Sequence, residues 1–183
     1  MPAANQTAFN LAQVEIIPFS KECEFNAFSC GQLSIDRFLK NKASKAVRRH
    51  EQRIFCACIV GTKSVIGYYA LQLGSENVSD LPNTMKNNYL KSRVAFPAIQ
   101  LTFIGVDAKY QRQGLGSFLL MDALNKVAAI AEYAGFFALT LVAIDSQTAE
   151  FYKKIGFSVY SEDMKNPKLL YPLEDILTLF GGN

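Results

Sequence analysis

Histidine is almost missing from this chain: His50 is the only one in 183 residues. A histidine-based triad therefore has too few candidates to be informative, and a metal site would need other ligands. Four cysteines, Cys23, Cys30, Cys56 and Cys58, do not supply them. Cys56 and Cys58 stand two apart in an apolar, strand-like run, so both point to one face, and no second pair completes a tetrahedral set. They read as buried or half-buried thiols, and no metal is expected. No run of about 18 apolar residues occurs, so neither a spanning helix nor a membrane partner is expected. Met1–Val14 is polar and lacks the basic flank and apolar centre of a signal peptide, which makes the cytoplasm the expected compartment. No repeat, low-complexity tract or interdomain linker is visible. The nucleotide motif G-x-x-x-x-G-K-S/T is absent. G-x-G-x-x-G also fails, because Leu119 stands where its last glycine would, and an acid about 20 residues on, Glu132, falls in the same helix.

What is present fits one compact α/β domain over 1–183. Half the residues are hydrophobic and 19% are charged, which argues against disorder. Residues 1–13 read as a loose leader. Val14–Phe19 is a short edge strand limited by Pro18. Ile54–Val60 and Val65–Leu73 form a hairpin. Asp80–Lys91, with Pro82 early and Met85 and Tyr89 at helical spacing, is a short helix or lid. Arg93–Pro97 is a link into a strand, Ile99–Val106. A helix over Leu115–Ala134 follows, with Gly135 as its C′ residue. Phe136–Ile144 is a strand covered on both faces. Asp145 and Ser146 cap a helix from Gln147 to Ile155, terminated by Gly156. Strands at Phe157–Tyr160 and Lys168–Tyr171 precede an amphipathic tail, Leu173–Phe180. Strands first precede and then alternate with helices, so the sheet is mixed.

Net charge is +3 with pI near 8.6, which alone says little about nucleic acid. The distribution says more. A helix from Ile35 to His50, capped by Ser34, places Ile35, Leu39, Ala43, Ala46 and Val47 on one side. Arg37, Lys40, Lys42, Lys45, Arg48 and Arg49 spread over the other, and no acid stands between Arg37 and Arg49. Two readings stay open, a solvated face and a docking surface for phosphates.

The chemistry concentrates in Tyr110-Gln111-Arg112-Gln113-Gly114-Leu115-Gly116. These residues join a strand end to a helix start, where backbone N–H groups lack partners and the helix dipole is positive. Glycines there let a diphosphate approach the backbone, while Arg112 adds charge and Ser117 a hydroxyl. On two glycines alone, an ordinary strand-to-helix turn remains open.

Gln111–Gly116 matches the Gln/Arg-x-x-Gly-x-Gly/Ala loop of the GNAT acetyltransferase superfamily. Phe151-Tyr152-Lys153-Lys154-Ile155-Gly156-Phe157 resembles its second signature, an aromatic-Tyr pair followed by Gly-Phe. The resemblance implies a GNAT fold, a central, mixed and splayed sheet flanked by helices. It implies acetyl-CoA as co-substrate, with pyrophosphate on the amides of 112–117 beside Gln111, Arg112, Gln113, Gly114, Leu115, Gly116 and Ser117. Pantetheine would lie along Ile104, Gly105 and Val106, near Phe151 and Asp145, with a strand N–H polarising the acetyl carbonyl. Tyr152 would protonate the departing thiolate. Asp145 stands where many relatives carry Asn. Glu150 and Asp145 are the weak candidates for a general base; water is the other.

A closer likeness covers most of the chain. Phe28-Ser29-Cys30-Gly31…Leu33…Asp36-Arg37-Phe38-Leu39, Ile66-Gly67-Tyr68-Tyr69-Ala70-Leu71 and Leu119-Leu120-Met121-Asp122-Ala123-Leu124 resemble segments of the GNAT toxins of type II toxin–antitoxin modules. That resemblance implies acetylation of the amino group of aminoacyl-tRNA, a ribbon-helix-helix antitoxin partner and a homodimer. It makes Arg37, Lys40, Lys45, Arg48, Arg49 and Arg93, with Lys91 beside it, candidate tRNA contacts. These toxins often carry an arginine before the loop; Thr102-Phe103-Ile104-Gly105-Val106-Asp107 has no basic residue. Two further readings stay open: a GNAT enzyme acting on a small-molecule or protein amine, and a non-catalytic CoA-binding module.

Overall fold

The computed structural model describes residues 9–161 and 165–181, together with the backbone but not the side chains of Asn88 and Tyr89. Of the leader expected at residues 1–13, residues 1–8 lie outside the described residues, as does the Tyr89 side chain, while Leu11–Gln13 form a tight helical turn capped by Asn10 rather than loose chain. Seven strands form one sheet in the order β1-β2-β3-β4-β5-β7-β6. They are β1 (Val14–Pro18), β2 (Arg53–Ile59), β3 (Val65–Asn77), β4 (Ala95–Val106), β5 (Ala138–Val142), β6 (Ser158–Val159) and β7 (Lys168–Pro172). The helices are α1 (Leu33–Asn41), α2 (Ala43–Arg48), α3 (Asn88–Lys91), α4 (Leu115–Ile130), α5 (Ser146–Ile155) and α6 (Leu173–Leu179). The sheet is mixed: β1 and β2 run antiparallel, β4 and β5 parallel, and β7 is antiparallel to both β5 and β6. The paired register of β4 and β5 covers Ala98–Leu101 against Ala138–Leu141, and β4 runs on to Val106.

Two compact units divide the chain, the first through Tyr69 with Phe103–Leu120, the second Ala70–Thr102 with the residues from Met121 on. In the first, Phe38 stacks on Phe103 with ring centroids 3.9 Å apart, and Phe28 packs edge-on to Tyr68. Burying such a ring contributes about 2 kcal/mol. The Tyr68 hydroxyl donates to the Ile35 carbonyl at 2.8 Å, so the buried ring leaves no orphaned donor. In the second, Val78, Leu81, Leu90, Phe96, Ala98, Ala138, Tyr160 and Leu170 form a continuous core. Among the described residues no helix is long and apolar enough to cross a membrane.

Several boundaries differ from the sequence reading. The helix expected over 35–50 is two helices, parted at Lys42, whose φ of −121° leaves the helical range. Ser34 is not its cap. Gln32 holds that position without a side-chain bond, and Asp36 ties the entry instead, accepting from the Cys30 N–H and the Ser29 hydroxyl. Asp80–Lys91 is mostly tight turns, Val78–Asp80 and Asn83–Met85, before the single turn of α3. The expected link at 93–97 holds only for Arg93 and Val94; from Ala95 on it is already β4, where the Pro97 carbonyl accepts from Phe137 N. α4 ends at Ile130, not Ala134: Ala131 shares its N–H between the Val127 and Ala128 carbonyls, and the next turns tighten. Gly135 is not among the left-handed glycines, so it does not play the C′ role. β5 is shorter than the apolar run around it. Ala138–Leu141 are buried as expected for a covered strand, and Val142 is exposed.

Candidate functional site

The glycine loop lies in the first unit. Below it, Asp107 is buried, and its carboxylate accepts from Ser29 N and Lys109 N, both at 3.0 Å. Asp107 N donates to the Ile66 carbonyl, and Ala108 N to that of Ser29. The Gln111 amide reaches back to the carbonyls of Cys30 (2.8 Å) and Val106 (2.9 Å), and that of Gln113 to Lys109. The Ser29-Cys30-Gly31 segment thus clips the loop in place. Sequence reasoning gave Asp107 no role, though an acid directly after an apolar strand was the available signal.

Within the loop, Arg112 (φ 58°) and Gly114 (φ 86°) are left-handed. A left-handed arginine is costly for an L-residue, by about 1 kcal/mol, and persists only where its surroundings impose it. Alternating handedness turns successive amides toward one concave side, a shape that takes anions. The 16-residue α4 starts immediately after, so its first amides have no intrahelical carbonyl. Gln111, Arg112, Gln113, Gly114 and Ser117 are exposed, Gly116 is half-buried and Leu115 anchors the turn in the core. A Cβ at Gly116 would meet nothing nearer than Val106 Cγ2, at 3.9 Å, while one at Gly114 would be strained and lie 3.3 Å from Leu11 Cδ1. This cradle fits a diphosphate. Ile104 and Val106 are half-buried. Gly105 is buried, and a Cβ there would come within 2.8 Å of Ile35 Cγ2, so packing alone demands glycine at that position.

Asp145, Phe151 and Tyr152 lie in the second unit. Asp145 caps α5, accepting from Thr148 N at 2.7 Å, and the Thr148 backbone and side-chain bonds hold its carboxyl below the usual range. It is exposed, as is Glu150, which pairs with Lys153 at 2.7 Å. Tyr152 is 5% exposed, and burial pushes its phenol well above the ordinary value. Such a phenol keeps its proton at neutral pH and is available as a proton donor. Its ring meets Phe151 and Phe157 edge-on, and Phe157 rests on Tyr171. Gly156 (φ 119°) closes the helix through bonds to the Lys153 and Tyr152 carbonyls; a Cβ there would sit 2.8 Å from the Tyr171 hydroxyl.

The second unit also holds a polar cluster that sequence reasoning missed. Gln72 donates to Gln100 (2.7 Å), and Gln100 to Glu76 (2.8 Å). Thr140 reaches the same Glu76 oxygen, Tyr160 bonds to Glu76, and Lys168 lies between Glu76 (3.7 Å) and Asp80 (3.3 Å). The signal was Gln72, Gly74 and Glu76 at period two in an apolar strand, facing a glutamine and a threonine inside two other apolar runs.

Arg37, Lys40, Lys42, Lys45, Arg48 and Arg49 are all exposed in the first unit, with Leu39, Ala43 and Ala46 buried behind them. Arg49 lies 3.6 Å from Glu51. Lys91 and Arg93 are exposed in the second unit. All four cysteines are free and buried; burial, then Asp36, pushes the Cys30 thiol up to about 12.

The Acetyltransferase (GNAT) domain family matches residues 51–159. A tRNA-acetylating toxin of Mycobacterium tuberculosis is 31% identical over 158 residues, 86% of this chain and 91% of that protein. Among solved structures, AtaT complexed with acetyl-methionyl-tRNAfMet superposes with a TM-score of 0.80 at 24% identity, over 91% of this chain and 99% of that one. A mutant AtaT toxin bound to the C-terminus of the antitoxin AtaR and acetyl-CoA gives a TM-score of 0.76 at 22% identity, over 92% and 98%. At these identities the structural likenesses speak to the fold.

Proposed function

The chain belongs to the GNAT acetyltransferase family, and we propose that it transfers acetyl from acetyl-CoA to the amino group of aminoacyl-tRNA, acting as a toxin that blocks translation. The observation that carries this reading is the relative in Mycobacterium tuberculosis, a tRNA-acetylating toxin matched over nearly its whole length. Residues 1–183 act as one acetyltransferase domain in the cytoplasm.

Gln111–Ser117 holds the pyrophosphate with backbone amides, and Arg112 supplies the charge. Ile104, Gly105 and Val106 offer a strand edge to the pantetheine arm, and Asp145 and Phe151 are the other residues assigned to it. Acetyl-CoA, when bound, supplies an activated acyl group as a thioester. Tyr152 gives its phenolic proton to the sulfur as it leaves, a role suited to a phenol that burial keeps protonated. The exposed cations of α1 and α2, with Arg93, meet the tRNA phosphates, a contact that weakens as salt rises. A ribbon-helix-helix antitoxin neutralises the protein, which works as a homodimer. The structural neighbour AtaT is seen bound to the C-terminus of the antitoxin AtaR, which supports an antitoxin as partner.

Induced expression in a bacterium tests the reading. The native chain is expected to arrest growth and Tyr152→Phe to leave it unaffected. Equal, harmless growth of both would contradict it.

A further inference from the structure

Transfer to an amine needs somewhere for a proton to go. The expected carboxylates are unsuited, because Asp145 is engaged as a helix cap and Glu150 is exposed and paired. Glu76 differs. Its side chain is 15% exposed, less than Asp80 at 32% or Asp122 at 23%. It also sits at a defined place. Gln100 and Thr140 face one another in the β4–β5 register, one position before the last pair, Leu101 and Leu141, and both reach Glu76 Oε1. Gly74 leaves room for this, since a Cβ there would fall on the Gln100 side chain.

Two carboxylates, Glu76 and Asp80, share one cation, Lys168. The trio carries a surplus negative charge, which complements a cationic amine. Tyr160, itself buried, joins the cluster to a cavity. It bonds to Glu76 and lines a cavity of about 360 Å³ with Ser79, Asp80, Leu81, Pro82 and Ser161.

We propose that Glu76 accepts the proton lost by the acceptor amine, through the hydroxyl of Tyr160. The proposal rests on the acetyltransferase reading above. In the transfer, the carbon–nitrogen bond forms, the carbon–sulfur bond breaks and the Tyr152 proton goes to sulfur; the phenolate left behind takes a proton back from water before the next turnover. The nitrogen's surplus proton passes to the Tyr160 oxygen while the Tyr160 hydroxyl proton passes to Glu76. The carboxylate becomes a carboxylic acid and later releases its proton to water. Gln72, Gln100 and Thr140 are positioning residues that fix Glu76. Lys168 from β7 and Asp80 after β3 are the charged groups facing it.

The test compares the full-length wild type, Glu76→Gln and Tyr160→Phe. Single-turnover acetyl transfer to a charged tRNA pool is followed across roughly pH 6–9, and acetyl-CoA affinity is measured by calorimetry. Both variants are expected to lose about a hundredfold in rate at neutral pH. Their rates should then climb with pH where the wild type is level, because hydroxide replaces the relay. Acetyl-CoA affinity should stay within about twofold of wild type, as a merely structural lesion would not allow. Rates within about threefold of wild type, with the same pH profile, would overturn the proposal. If Glu76→Gln does not fold, Tyr160→Phe decides by the same criteria. A wild type that binds acetyl-CoA but acetylates no charged tRNA would instead remove the functional reading, and this proposal with it.

Discussion

At the scale of single residues, two side chains carry most of the argument. Tyr152 is held by Phe151 and Phe157 in a site that keeps its phenol neutral. Tyr152→Phe should therefore lower the transfer rate about a hundredfold, while acetyl-CoA affinity and melting temperature barely move; calorimetry and thermal melts check both. Asp36 is the second. Burial works to raise its carboxyl, but bonds from the Cys30 backbone and thiol and the Ser29 hydroxyl, with Lys40 nearby, bring it below the ordinary value. A depressed carboxyl stabilises the fold above its unfolded pKa, and that stability is lost as pH falls through the folded value. Melting temperature should thus drop in acid below about pH 4, and Asp36→Asn should be less stable at neutral pH with a flatter acid limb. Tyr152 was legible because its neighbours form a signature. Asp36 was read as part of a family segment, yet its capping of Cys30 depends on a chain reversal that spacing alone does not reveal.

At the scale of elements, the loop before α4 and the α1–α2 pair act separately. Gly114 needs a left-handed backbone, so Gly114→Val should strain the cradle and weaken acetyl-CoA binding at least about tenfold, as calorimetry would show. Gly156 at the end of α5 is constrained by its handedness and by Tyr171. Gly156→Ala should destabilise the protein by about 1–3 kcal/mol in denaturant titration. Reversing Lys40, Lys45 and Arg48 to Glu should weaken tRNA binding and flatten its salt dependence, leaving acetyl-CoA affinity unchanged. The order of strands and helices was readable from hydrophobic period, and most boundaries fell within a few residues. The break at Lys42 was not, since its neighbours keep one apolar face across it. The early start of β4 was hidden by Pro97, which reads as a link until the strand's place beside β5 is known.

At the scale of the whole molecule, fold and donor follow from motifs close in sequence, and the acceptor does not. Glu76, Gln100, Thr140, Tyr160 and Lys168 come from separate strands and connections, and only pairing unites them. In sequence they are isolated polar residues within apolar runs, so the cluster could be suspected but not assembled. The measurement that tests the central claim most directly supplies labelled acetyl-CoA to the protein with charged and with deacylated tRNA pools, then identifies the labelled product after nuclease digestion. The account predicts label on aminoacyl-adenosine from the charged pool alone, and none with Tyr152→Phe. Label confined to free amines or protein, with the charged pool untouched, would contradict it.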